Sequence, residues 1–72
     1  MKQVTVIINY DGQSHKSAIL KLNDKEIKDL KELVINCVSG KMAFFSMDYE
    51  NGVVKYFPKE ILQKSIISVI EV

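Results

Sequence analysis

Leu22 to Gly40 constrains this chain more than any other stretch, because a helix start, a helical period and a helix stop all agree there. With Asn23 as N-cap, its side-chain oxygen can accept from a free N–H of the first turn. Glu26, three residues on, can reach back to the Asn23 N–H, which completes a capping box. Leu22 before the cap and Ile27 in the first turn form a hydrophobic staple, and Asp24 and Glu26 put negative charge at the positive end of the helix dipole. Ile27, Leu30, Val34, Cys37 and Val38 then recur at spacings of three and four, with Leu33 widening the stripe. Lys25, Lys28, Asp29, Lys31, Glu32 and Asn36 make the other face polar and mixed in sign. Gly40 stands where a C-cap glycine would take positive φ. One face of this helix must be buried, and the strand-like sequence on either side leaves a sheet as its cover.

Before the helix, Val4, Val6, Ile8 and Tyr10 alternate with Thr5, Ile7 and Asn9, which is strand periodicity. A second strand is expected over Ser17 to Leu22, with Ala18, Leu20 and Leu22 on one face. A two-residue turn at Asp11-Gly12 would set Val6 against Ser17 and throw the two apolar sets onto opposite faces. A three-residue loop, Tyr10-Asp11-Gly12, restores the parity and is the expectation. After the helix, Lys41 to Tyr49 reads as strand, and Asn51-Gly52 is the strongest hairpin signal in the chain. A two-residue turn there pairs Asp48 with Lys55 and Tyr49 with Val54, and puts Ala43, Phe45, Met47, Tyr49, Val54 and Tyr56 under the helix. Pro58 closes that strand and presets a short helical turn, Pro58 to Leu62. Ser65 to Val72 is a last strand, apolar enough to be a central one buried on both sides. The expected fold is a single α+β domain over residues 1–72. Its order is β-β-α-β-β-(short helical turn)-β, a mostly antiparallel sheet with one helix packed on one face.

The bulk numbers narrow the classes of function. Seventy-two residues lie near the lower limit for a self-sufficient core, so a self-associating surface is a reasonable expectation from size alone. Ten Lys against nine acids give a net charge of +1, which argues against an acidic nucleic-acid mimic and against a strongly basic nucleic-acid binder. No Arg is present, so the planar fork that reads guanine edges and clamps phosphates is missing. One Cys excludes an internal disulfide and any cysteine-based metal cluster. No signal peptide or membrane span is recognisable, and a cytoplasmic setting is expected.

No catalytic constellation emerges. Cys37 lies on the apolar stripe at the C-terminal end of the helix, where burial and the dipole both disfavour a thiolate. His15, the only histidine, is expected to be an exposed strand residue. Asp48 and Glu50 flank a hairpin tip and read as surface charge, and Gly40-Lys41 lacks the rest of a phosphate-binding loop. The expectation is a protein that is not an enzyme and has no cofactor, no metal site and no catalytic residues.

The informative set is what one helix cannot cover. The turn parity leaves Ile7, Ile19, Met42, Phe44 and Phe57 on the opposite face, an apolar group large for a monomer's surface and of the types enriched at interfaces. The alternative is a sheet that curls into a small barrel and encloses them. The expected function is a protein-binding module that acts by occupying a partner and self-associates as a homodimer. Small chains of this size are often regulators or inhibitors, including those phages direct against host systems. A second expectation is a nucleic-acid-binding domain, with Lys16, Lys21, Lys41, Lys55 and Lys59 around Phe44, Tyr56 and Phe57. A third is a small-ligand or nucleotide pocket at a dimer interface.

Overall fold

The computed structural model describes every residue from Met1 to Val72. The order is β1 (Lys2–Tyr10), β2 (Gln13–Lys16), β3 (Leu20–Leu22), α1 (Asp24–Val38), β4 (Phe44–Asp48), β5 (Val54–Pro58), α2 (Lys59–Leu62) and β6 (Ile66–Glu71). All strand pairs are antiparallel, and the fold class is α+β as expected. The strands form two sheets rather than one. In the first, β1 is flanked by β2 and β3 along one edge and by β6 along the other; the second is the β4–β5 hairpin.

Helix α1 forms as the sequence dictates. Asn23 Oδ1 accepts from the Glu26 N–H at 2.8 Å, and Glu26 Oε1 accepts from the Asn23 N–H at 3.0 Å, so the capping box is complete. At the other end Gly40 has φ of +82°. Its N–H donates to the Cys37 carbonyl and the Lys41 N–H to the Asn36 carbonyl, which together make a Schellman stop. Ile27, Val34 and Cys37 are buried, whereas Val38 lies at the margin of the stripe and is exposed. Asp24 takes Lys2 as its ion-pair partner at 3.1 Å, a surface contact of small energetic weight.

The first hairpin differs from expectation in an informative way. Its turn has two residues, Asp11 and Gly12, with φ of 52° and 77°, and Tyr10 pairs with Gln13. This turn does create the parity conflict, and a bulge in the following segment resolves it. Ile7 pairs with Lys16 and Val4 with Leu20, so three residues, Ser17 to Ile19, lie against two, Thr5 and Val6. The extra residue brings Leu20 and Leu22 onto the face of Val4. The buried Thr5 and Ser17 side chains hold the bulge: Thr5 Oγ1 donates to the Ser17 carbonyl at 3.1 Å, and Ser17 Oγ accepts from the Val6 N–H at 2.9 Å. The bulge also ties the two sheets together, through the Ala18 N–H donating to the Asp48 carbonyl at 2.8 Å.

The second hairpin also corrects its expected turn. The Tyr49 N–H donates to the Val53 carbonyl, so the loop is Glu50-Asn51-Gly52, with Gly52 at φ of +79°. Asn51 Oδ1 accepts from the Val53 N–H at 3.2 Å, a local bond that favours this loop over a two-residue turn. Phe45 therefore pairs with Phe57 and Ser46 with Tyr56. This one-residue shift sends Phe57 inward and Tyr56 and Val54 outward; Ala43, which precedes β4, is exposed as well. The exchange leaves the Tyr56 hydroxyl in solvent and puts the wholly apolar Phe57 ring in the core.

The core is enclosed by all three layers. Val6 and Ile8 from β1, Val34 and Cys37 from α1, Phe45 and Met47 from β4, Phe57 from β5 and Leu62 from α2 form one buried cluster. The central strand is β1, where Val4, Thr5, Val6 and Ile8 are buried in near succession. β6 is instead an edge strand: Ile67 and Val69 pack on the core, while Ile66 and Ile70 face solvent. The short turn α2 forms where expected, but it begins at Lys59 with Pro58 as its extended N-cap rather than its first helical residue, and it inserts Leu62 fully into the core. No helix is long and apolar enough to cross a membrane.

Candidate functional site

The hairpin register decides which side chains β4 and β5 offer to the outside. Phe44, Ser46 and Asp48 point away from the core on β4, as do Val54, Tyr56 and Pro58 on β5. Phe44 and Tyr56 meet edge to face, with ring centroids 5.6 Å apart and an interplanar angle of 67°. Both rings stay open to solvent, Phe44 at 52% and Tyr56 at 66% of full exposure. Met42, just before β4, and Val54 are exposed as well. An aromatic pair flanked by a methionine, a valine and a proline thus stands uncovered on the two-stranded sheet.

The five residues expected at an interface are distributed unevenly. Met42 and Phe44 belong to this surface. Ile19 is exposed in the bulge, and Ile7 is half-buried on the outer face of the other sheet, between Lys16 and Ser68. Phe57 is not on any surface. It is buried, and the His15 ring packs edge-on against it at 5.3 Å. His15 is accordingly half-buried rather than exposed. Tyr56 takes the place expected for Phe57; only the loop length, hidden behind the Asn-Gly signal, distinguishes the two registers.

Beside the hairpin tip an open cleft of about 430 Å³ separates the bulge from the β4–β5 loop. Lys16, Ser17, Ile19, Tyr49, Glu50 and Asn51 line it, which gives one ammonium and one carboxylate on opposite rims. Lys55 Nζ stands 4.8 Å from the centre of the Tyr49 ring, a cation–π contact, and forms no ion pair with Asp48. The Tyr49 hydroxyl is buried without a hydrogen-bond partner, and burial pushes its pKa up. No residues gather with metal-binding geometry. Cys37 is fully buried, and desolvation raises its thiol pKa, so it remains a neutral apolar group at physiological pH. Its Sγ faces the Phe44 carbonyl at 3.9 Å.

A scan against protein-family models, a search of curated proteins and a search of solved structures each return no match to this chain.

Proposed function

We propose that this protein is a non-catalytic binding module whose contact surface is the outer face of the β4–β5 hairpin, and that it acts by occupying a protein partner and self-associates. One observation carries the reading: the Phe44–Tyr56 pair is solvent-exposed although a buried cluster lies directly behind it. Two rings held edge to face present a rigid apolar surface with little side-chain entropy left to lose on binding. Aromatic and methionine side chains of this kind are enriched at protein interfaces. A cytosolic setting belongs to the same proposal and rests on the single free cysteine. A regulatory or inhibitory role is the form such occupancy takes when the covered partner surface is itself functional.

The test compares native protein with Phe44→Ser, Tyr56→Ser in affinity capture from cell extract, with circular dichroism as the folding control. A Lys31→Ser, Glu32→Ser variant on the polar helix face serves as the surface control. A partner held by native protein and by the helix variant, but lost by the hairpin variant, supports the reading. Capture that is unaltered in the folded hairpin variant overturns it.

The exposure of both rings also favours a second reading, base stacking on Phe44 and Tyr56 with Lys41 and Lys59 nearby in sequence. Salt separates the two: nucleic-acid affinity falls steeply between about 50 and 200 mM salt, and an apolar protein contact does not.

A further inference from the structure

β6 is the one strand edge in the molecule with no device against pairing. Because the Val72 N–H donates to the Gln3 carbonyl, Thr5–Ile70, Ile7–Ser68 and Asn9–Ile66 are the hydrogen-bonded pairs of the β1–β6 ladder. The N–H and C=O groups of Ile67, Val69 and Glu71 therefore point away from β1, and no other strand meets them. The strand Ile66-Ile67-Ser68-Val69-Ile70 contains no Lys, Pro, Gly or bulge. Other edges are protected. On β5 a two-fold pairing through Lys55 would set two ammonium groups against each other, and Pro58 lacks an N–H. β2 ends in Lys16, and β3 is three residues long with Lys21 at its centre. The outer edge of β4 is covered at both ends, by the Ala18 N–H on the Asp48 carbonyl and by Cys37 Sγ against the Phe44 carbonyl.

We infer that β6 pairs antiparallel with β6 of a second copy of this chain, about a two-fold axis at Ser68, so that one sheet runs through both protomers. The segment is an apolar palindrome about Ser68, and the register follows from it. Ile67 and Val69 of each copy exchange their backbone bonds with Val69 and Ile67 of the other. Ile66 lies across from Ile70, both on the outer face, where they are now 72% and 42% exposed. The two Ser68 hydroxyls meet at the axis. Glu71, the only charged residue of the strand, falls opposite Ser65, so no like charges meet. A shift of the axis to Val69 would set Ile67 against Glu71 and Ser68 against Ile70, losing both the Ile66–Ile70 and the Ile67–Val69 matches. The seam is narrow, at the low end of specific interfaces with less than about 1,200 Å² in total, so the dimer belongs to the micromolar range rather than the nanomolar.

This inference deepens the self-association part of the reading above and is independent of the hairpin surface. Sedimentation over roughly 1 µM to 1 mM tests it, against two variants of β6. Ile66→Lys, Ile70→Lys brings like charges together across the axis and weakens association at least about tenfold. Ile66→Lys, Ile70→Glu sets opposite charges across it and restores the dimer. Amide exchange on native protein gives a measurement free of variants: the Ile67 and Val69 N–H groups become protected as concentration rises. A native protein that is monomeric at about 1 mM overturns both the seam and the self-association reading. A dimer that survives the double-lysine variant but is lost in Phe44→Ser, Tyr56→Ser overturns the seam alone and moves the interface to the hairpin. Failure of the Lys/Glu variant to re-form a dimer, with both variants folded by circular dichroism, overturns the Ser68 register.

Discussion

Phe57 and Tyr56 are neighbours in sequence with opposite fates, and exchanging each for Leu measures the register of the second hairpin. Phe57 is 8% exposed, pairs with Phe45 across the hairpin and receives the His15 ring edge-on. Phe57→Leu removes about three carbons of buried ring, worth roughly 0.8 kcal/mol for each methylene equivalent. Part of the aromatic contact with His15 goes as well, and part of the space is refilled by relaxation, which leaves a loss of about 2 kcal/mol. Tyr56→Leu removes a ring that is 66% exposed and touches Phe44 at its edge, a loss of about 0.5 kcal/mol. Stability for a chain of this length lies at about 4–11 kcal/mol, from 72 residues at about 0.05–0.15 each, so both variants remain folded. Urea unfolding at a slope of about 1 kcal/mol/M then reads a midpoint shift of about 2 M for Phe57→Leu and about 0.5 M for Tyr56→Leu. Equal shifts, or a larger shift for Tyr56→Leu, would refute the three-residue loop and return Phe57 to the surface.

Asn23→Ala is expected to lower stability by about 1 kcal/mol through loss of the capping box; an unchanged urea midpoint counts against it. Gly40→Ala forces a side chain onto φ of +82° and brings its Cβ to 2.8 Å from the Gln63 amide nitrogen, a loss of about 1–2 kcal/mol in the same assay. Cys37 is expected to react slowly with thiol reagents in the native state and quickly once unfolded, which timed labelling with and without denaturant reads. Its raised pKa also sets a pH dependence. The unfolded thiol ionises near its ordinary 9.0 while the folded one stays protonated, so stability is complete below about pH 9 and falls as pH rises through and beyond it. The shift of Tyr49 acts in the same direction, and Cys37→Ala is expected to flatten part of that decline in urea titrations taken across alkaline pH.

What could be read from the sequence follows the range of the interactions involved. Helix α1 was legible at both ends, because Asn23, Glu26 and Gly40 act through bonds that close within a few residues. The hairpins were legible in existence but not in register. At Asp11-Gly12 the parity conflict was visible, yet its resolution lay in a bulge fixed by Thr5 and Ser17, twelve residues apart, and by a bond from Ala18 to Asp48. At Asn51-Gly52 the dipeptide fits both loop lengths, and the choice was made by which ring the core accepts. The same logic displaced β6 from the centre of the sheet. An apolar run can be a strand with both faces covered or an edge strand waiting for a partner, and composition alone does not separate them. β1 holds the central position because the chain supplies strands for both of its sides, β2 and β3 on one and β6 on the other. β6 has the composition of a central strand and the neighbours of an edge strand. That mismatch between what the segment is made of and what this chain gives it to pair with is removed if a second β6 takes the open side.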